Sequence, residues 1–149
     1  MDRFKKGFTI IELSVSIVVI GILIGLSVFS FSKFRSRNIF YSKINGIRSS
    51  YIRINKKAVT SGKDCQLLID KSNNVILGMQ NGSVIQGDSI FLDPNRFSIN
   101  MSPTTLTFTI TPGGVANTSD TVRTFSITDT KTGIGKSIFI SPLGVMEVK

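Results

Sequence analysis

Gly7-Phe8-Thr9-Ile10-Ile11-Glu12-Leu13 opens a run of apolar residues that continues to Phe31. From Phe8 the run holds 24 residues and a single charge, Glu12. At about 1.5 Å per helical residue it reaches about 36 Å, enough to cross a bilayer core. It is too long for a signal-peptide core, and no small-x-small cleavage pattern follows it. Arg3, Lys5 and Lys6 precede it. Cations there favour the cytoplasmic side. Lys33, Arg35 and Arg37 follow it and weaken that bias.

Glu12 is costly in such a run, on the order of 3 kcal/mol on insertion scales. Its own helix supplies no cation, so the sequence predicts no partner for it within that helix. A cut before Phe8 would place a new α-amino group four residues away, and an ammonium on a neighbouring chain would neutralise the carboxylate. Ser14, Gly21, Gly25 and Ser32 follow one another at spacings of 7, 4 and 7. At 100° per residue they form a narrow small-residue line, nearly opposite Glu12, along which helices can approach closely.

Beyond the apolar run, Phe40, Ile44, Ile47, Tyr51, Ile54 and Ala58 continue at spacings of 4, 3, 4, 3 and 4. That is the buried stripe of an amphipathic helix. Ser61-Gly62 supplies its stop. Arg35, Arg53 and Lys56 are placed opposite the stripe, and Lys43 and Arg48 beside it. Past Gly62 the texture turns to Thr, Ser, Asn and β-branched residues. Strands are expected over residues 65–69, 75–79, 89–92, 97–100, 106–111, 122–128, 136–141 and 145–148, with turn signals between them. Alternation in Leu106-Thr-Phe108-Thr-Ile110 and Phe125-Ser-Ile127 marks strands with one buried face. The fold class is therefore α+β: a long N-terminal helix, transmembrane in its first half, packed on an antiparallel β-sheet head. The expected division is a leader at 1–7, a membrane or filament-core helix at 8–31, its amphipathic continuation at 32–61, and a β-rich head at 62–149.

The basic excess is local. Nine of the 18 basic residues lie between positions 33 and 63, where no acidic residue occurs. Lys43, Arg48, Arg53, Lys56, Lys57 and Lys63 are the candidate phosphate contacts if the chain binds DNA; a solvated or headgroup-facing surface is the simpler reading of the run. There is no histidine and one cysteine, Cys65. An intramolecular disulfide is excluded, and Cys65 reads as a small buried thiol whose further role the sequence leaves open. No metal site, cofactor motif, phosphate loop or nucleophile elbow is present, so an enzyme is not expected.

The basic leader, Lys6-Gly7 and Phe8-Thr-Ile-Ile-Glu12-Leu resemble the prepilin peptidase site of type IV pilins and type II secretion pseudopilins. The resemblance implies cleavage after Gly7, N-methylation of Phe8 and docking through Glu12, with prepilin peptidase, the bacterial inner membrane and other pilin subunits as partners. It implies a single-pass protein with its head in the periplasm or outside the membrane, extractable into a filament. Unlike many major pilins, the chain has no proline before Pro94. Leu106-Thr-Phe-Thr-Ile-Thr-Pro-Gly-Gly114 and Ser137-Ile-Phe-Ile-Ser-Pro-Leu-Gly144 are similar to the closing strands of GspH/FimT minor pilins and pseudopilins. A minor structural subunit of a secretion or pilus filament is the reading that follows. The alternative is a DNA-binding minor pilin of a competence pilus. Members that bind DNA do so through arginines after the final glycine, and here Val145-Met146-Glu147 follow instead.

Overall fold

The computed structural model describes residues 9–118 and 121–149, without the side chains of residues 27–30. Among the described residues one helix, α1 (Ile10–Ser61), precedes nine strands. The chain forms two compact units, divided between Ser36 and Arg37. Within the first unit, the described apolar side chains of α1 are exposed, from Ile10 at 87% to Phe31 at 66%. Such a surface is stable only against lipid or another apolar chain.

The second unit contains the remainder of α1 and all the strands. Five strands form one antiparallel sheet: β1 (Cys65–Asp70), β2 (Val75–Gln80), β3 (Ser83–Phe91), β5 (Thr105–Ile110) and β6 (Ala116–Thr118). Their spatial order is β3-β2-β1-β5-β6. Four strands form a second sheet in the order β4-β7-β8-β9: β4 (Phe97–Asn100), β7 (Thr124–Asp129), β8 (Gly135–Ile140) and β9 (Met146–Val148). The helix stripe Phe40, Ile44, Ile47, Tyr51, Ile54 and Ala58 is buried with Leu67, Phe108, Ile127 and Ile138 in one core. The expected α+β fold is thus present, with its sheet split in two.

Two differences from the strand reading have local causes. β3 begins at Ser83, six residues before the expected start. Asn81 and Gly82, both at positive φ, close a tight β2–β3 hairpin, and such turns start the second strand at once. The register then shifts between Leu77 and Met79. This bulge lets Gly78 lie beneath the helix: a Cβ at Gly78 would sit 2.8 Å from Ile54 Cδ1 and 2.9 Å from Asp88 Cβ. β6 was not expected at all, because three residues carry too little alternation to reveal a strand.

The sheets are joined at two turns of similar sequence, Thr111-Pro-Gly-Gly-Val115 and Ser141-Pro-Leu-Gly-Val145. In each, the first residue's N–H donates to the last residue's carbonyl at 2.9 Å. Gly114 and Gly144 both have positive φ. The turns come so close that a Cβ on Gly144 would collide with the Gly114 carbonyl oxygen. Ala116 N–H donates to the Pro142 carbonyl at 3.0 Å, and Tyr51 Oη donates to the Gly144 carbonyl at 2.9 Å. Sheet, sheet and helix therefore meet at Gly144.

Candidate functional site

Gly7 and Phe8, the expected cleavage and methylation positions, lie outside the described residues, as does the 1–7 leader. Glu12 is described, and its setting corrects one expectation. It has a partner in its own segment: Thr9 N–H and Thr9 Oγ1 both donate to Glu12 Oε2 at 2.9 Å, and Glu12 N–H donates to Thr9 Oγ1 at 3.2 Å. This is a reciprocal capping box, which satisfies helix-start donors that have no partner within the helix. Its signal, Thr-x-x-Glu immediately before an apolar run, is legible in the sequence.

The small-residue line is exposed in the first unit. A Cβ added to Gly21 or Gly25 would meet nothing within 4 Å. Ser14 Oγ donates to its own helix at the Ile11 carbonyl, 2.8 Å away, and Ser32 is exposed. These residues leave a smooth strip where a second helix can come near.

The basic candidates divide into two groups, and Arg53 is a correction. Lys43, Gly46, Ser50 and Arg53 form a row at spacings of 3, 4 and 3 that runs along β3. Lys43 Nζ donates to the Phe91 carbonyl at 3.3 Å, and a Cβ at Gly46 would stand 4.0 Å from Ile90 Cδ1. Ser50 Oγ donates to Asp88 Oδ1 at 3.2 Å, and Arg53 Nε donates to the same oxygen at 2.7 Å. The Arg53 guanidinium also ion-pairs with Asp88, whose side chain is only 5% exposed. On a helical wheel Arg53 lies away from the central stripe, but its long side chain reaches a strand that wraps that flank. Asp88 was not singled out from the sequence because its role depends on this wrapping. Arg48, Lys56, Lys57 and Lys63 are exposed, with no ion pair to another described residue.

A second buried ion pair belongs to the scaffold. Arg96 Nη2 lies 3.1 Å from Asp129 Oδ2, and the Asp129 side chain is fully buried. Burial pushes the Asp129 pKa up. The Arg96 hydrogen bond and charge, with the Lys131 N–H, more than offset it, so the net shift is downward. Cys65 is buried, and that burial raises its thiol pKa, which keeps it in the unreactive protonated form. Among the described residues no cluster of metal-ligating side chains occurs.

Residues 2–28 match the model of the prokaryotic N-terminal methylation motif. The fold is that of solved minor pilins and pseudopilins. It is similar to the type IV minor pilin FimU of Pseudomonas aeruginosa in two crystal forms. One has a TM-score of 0.55 and 20% identity over 78% of this chain and 92% of FimU. The other has a TM-score of 0.51 and 17% identity over 73% and 91%. It is also similar to EpsH, the minor pseudopilin of the Vibrio cholerae type 2 secretion system. That match has a TM-score of 0.50 and 16% identity over 69% of this chain and 92% of EpsH. The chain therefore has the fold of these minor pilins and carries the N-terminal methylation motif. No curated protein matches it by sequence. At these identities the structural likeness carries the fold alone. The chain thus combines an N-terminal methylation motif with an exposed apolar stretch of helix and a packed β-rich unit. Its helix contains a stretch of mean hydropathy 2.5, long and apolar enough to cross a membrane.

Proposed function

We propose that the chain is a minor pilin or pseudopilin: a non-enzymatic structural subunit of a type IV pilus-like filament, serving type II secretion or pilus assembly. The observation that carries this reading is the coincidence of the methylation motif at residues 2–28 with a minor-pilin fold in one chain. Prepilin peptidase cuts after Gly7 and Phe8 is methylated. The protein waits in the bacterial inner membrane as a single span with its head outside the cytoplasm. It enters the filament when its exposed apolar helix exchanges lipid for neighbouring helices. Lipid and helix are similarly apolar, so packing and polar contacts must drive that exchange. The Ser14, Gly21, Gly25 and Ser32 line supports close packing. Glu12, in a segment where a carboxylate is expensive, supports docking to a neighbour's N-terminal ammonium.

Intact mass of the native protein, from a host with active prepilin peptidase, tests the reading. Loss of seven residues with gain of one methyl is expected; a full-length product overturns it. Glu12→Ala should leave the protein in the membrane and reduce its recovery in sheared filaments, while normal incorporation would remove Glu12 from docking.

A further inference from the structure

The two flanks of the head's helix are finished differently. One flank, from Lys43 to Arg53, is closed along its length by β3. On the other flank, Arg48, Ile52, Asn55 and Val59 recur at spacings of 4, 3 and 4, and the β8–β9 turn leaves a groove beside them. A cavity of about 320 Å³ opens here between Arg48, Tyr51, Ile52 and Lys56 on the helix and Val145 and Met146 after the turn. A second cavity of about 410 Å³ follows β9 to Lys149 and shares Arg48 and Met146 with the first. Together they form one trough along the free edge of β9.

Three properties of the trough specify an occupant. Its wall beside the turn is apolar, with Ile52 45% and Val145 53% exposed, while the part along β9 is more polar. Its free charge is positive: Glu147 and Lys149 face each other at 3.8 Å and offset one another, while Arg48 and Lys56 have no ion pair among the described residues. Its floor includes a strand edge with no partner strand among the described residues. Ser137 and Lys149 exchange both backbone hydrogen bonds, at 3.0 and 2.9 Å. In an antiparallel ladder, Val148 and Met146 then turn their N–H and C=O groups away from β8, toward the open side.

We propose that this trough docks an extended, carboxylate-bearing segment of a different pilin-like subunit. The segment adds to the β9 edge, lays apolar side chains against Ile52 and Val145, and pairs its carboxylates with Arg48 and Lys56. The inference rests on the filament reading above and names the head contact that reading leaves open. A second copy of this chain fits less well, since even without residues 1–7 it brings 15 basic against 8 acidic residues, a net charge of +7, toward a basic flank. A nucleic-acid backbone matches the two cations but leaves the apolar wall and the strand edge unused.

The test uses the full-length protein in cells that assemble the filament. A photo-crosslinking benzoylphenylalanine replaces Ile52, with the exposed β3 residue Val84 as the control position. The expected result is an adduct, at Ile52 and not at Val84, with a different protein that carries the N-terminal methylation motif and with a peptide of it containing Asp or Glu. Arg48→Glu with Lys56→Glu should cut that yield about tenfold, and the milder Arg48→Gln with Lys56→Gln about threefold. Lysine at the partner's carboxylate positions should restore the yield of the charge-reversed chain. Equal yields at the two positions overturn the proposal. So does an adduct with a second copy, lipid or nucleic acid, or a yield insensitive to both charge pairs. Cleavage and filament incorporation are read in the same cells. A processed, incorporated chain without the Ile52 adduct defeats the trough alone, whereas an unprocessed chain defeats the filament reading.

Discussion

The two parts of α1 on either side of Ser36 use apolar residues in contrasting ways. Before that point the described apolar residues surround the helix and are exposed, Ile17 at 62% and Ile24 at 60%. After it the apolar residues narrow to a stripe, and Phe40, Ile47, Ile54 and Ala58 are completely buried. A helix apolar all round finds its partner outside the chain, in lipid or in other helices, whereas a striped helix finds it in its own sheets. One continuous element thus serves two solvents. The same substitution should therefore have different consequences in the two parts.

Ile54→Ala removes a fully buried side chain that packs over Gly78 and should destabilise the head by about 4 kcal/mol. Ile17→Ala should leave head unfolding unchanged and act only on membrane retention or filament assembly. Denaturant unfolding in detergent, followed by a signal from the sheets, compares them. Equal effects would mean that the head's stability depends on the first part of the helix.

Gly144→Ala probes the place where helix and sheets meet. The new methyl would enter the Gly114 carbonyl, at a backbone φ of 71° that disfavours alanine. A loss of about 3 kcal/mol is expected. Gly25→Ala, with open space around it, should have no effect on head unfolding. A head equally stable with alanine at 144 would show that the two turns can separate at little cost.

Arg53→Ala and Lys56→Ala divide the two faces of the basic run. Loss of Arg53 leaves the buried Asp88 carboxylate with Ser50 as its remaining side-chain partner, and should cost about 2 kcal/mol. Lys56→Ala should fall within about 0.5 kcal/mol of the parent protein. Equal costs would place Arg53 in solvent.

The smallest effect is expected in acid. Asp129 has a folded pKa below its unfolded value, so over that interval the unfolded chain binds more protons and stability rises with pH. Its contribution is complete above the unfolded value of about 3.9 and is lost as pH falls through the lower folded one. The stability gap between the parent protein and Asp129→Asn should therefore be constant near neutrality and narrow below about pH 4. A gap that persists unchanged well below that pH would show that the pair is not ionised in the way the geometry implies.

Local pattern made much of this legible. The apolar run and its single Glu12, the stripe from Phe40 to Ala58 and the alternation in β5 and β7 each follow from the period of one element. The Thr9 to Glu12 capping box is equally local and was readable from its spacing. The joints between elements were not. Nothing within a few residues of Arg53 says that β3 bends around the helix to offer Asp88, and nothing near Gly144 points to Gly114.

The sequence by itself determined the long helix, most of the strands, which face of each is apolar, and that the N-terminal run is apolar all round. Those properties depend on side chains a few positions apart, fixed by 3.6-residue and 2-residue periods. Only the tertiary structure decided that the strands divide into two sheets, that β3 closes one flank of the helix and that the β8–β9 turn leaves a trough on the other. These outcomes depend on backbones meeting at Gly78, Gly114 and Gly144, far apart in the chain, where the absence of a Cβ permits a contact but does not name its partner.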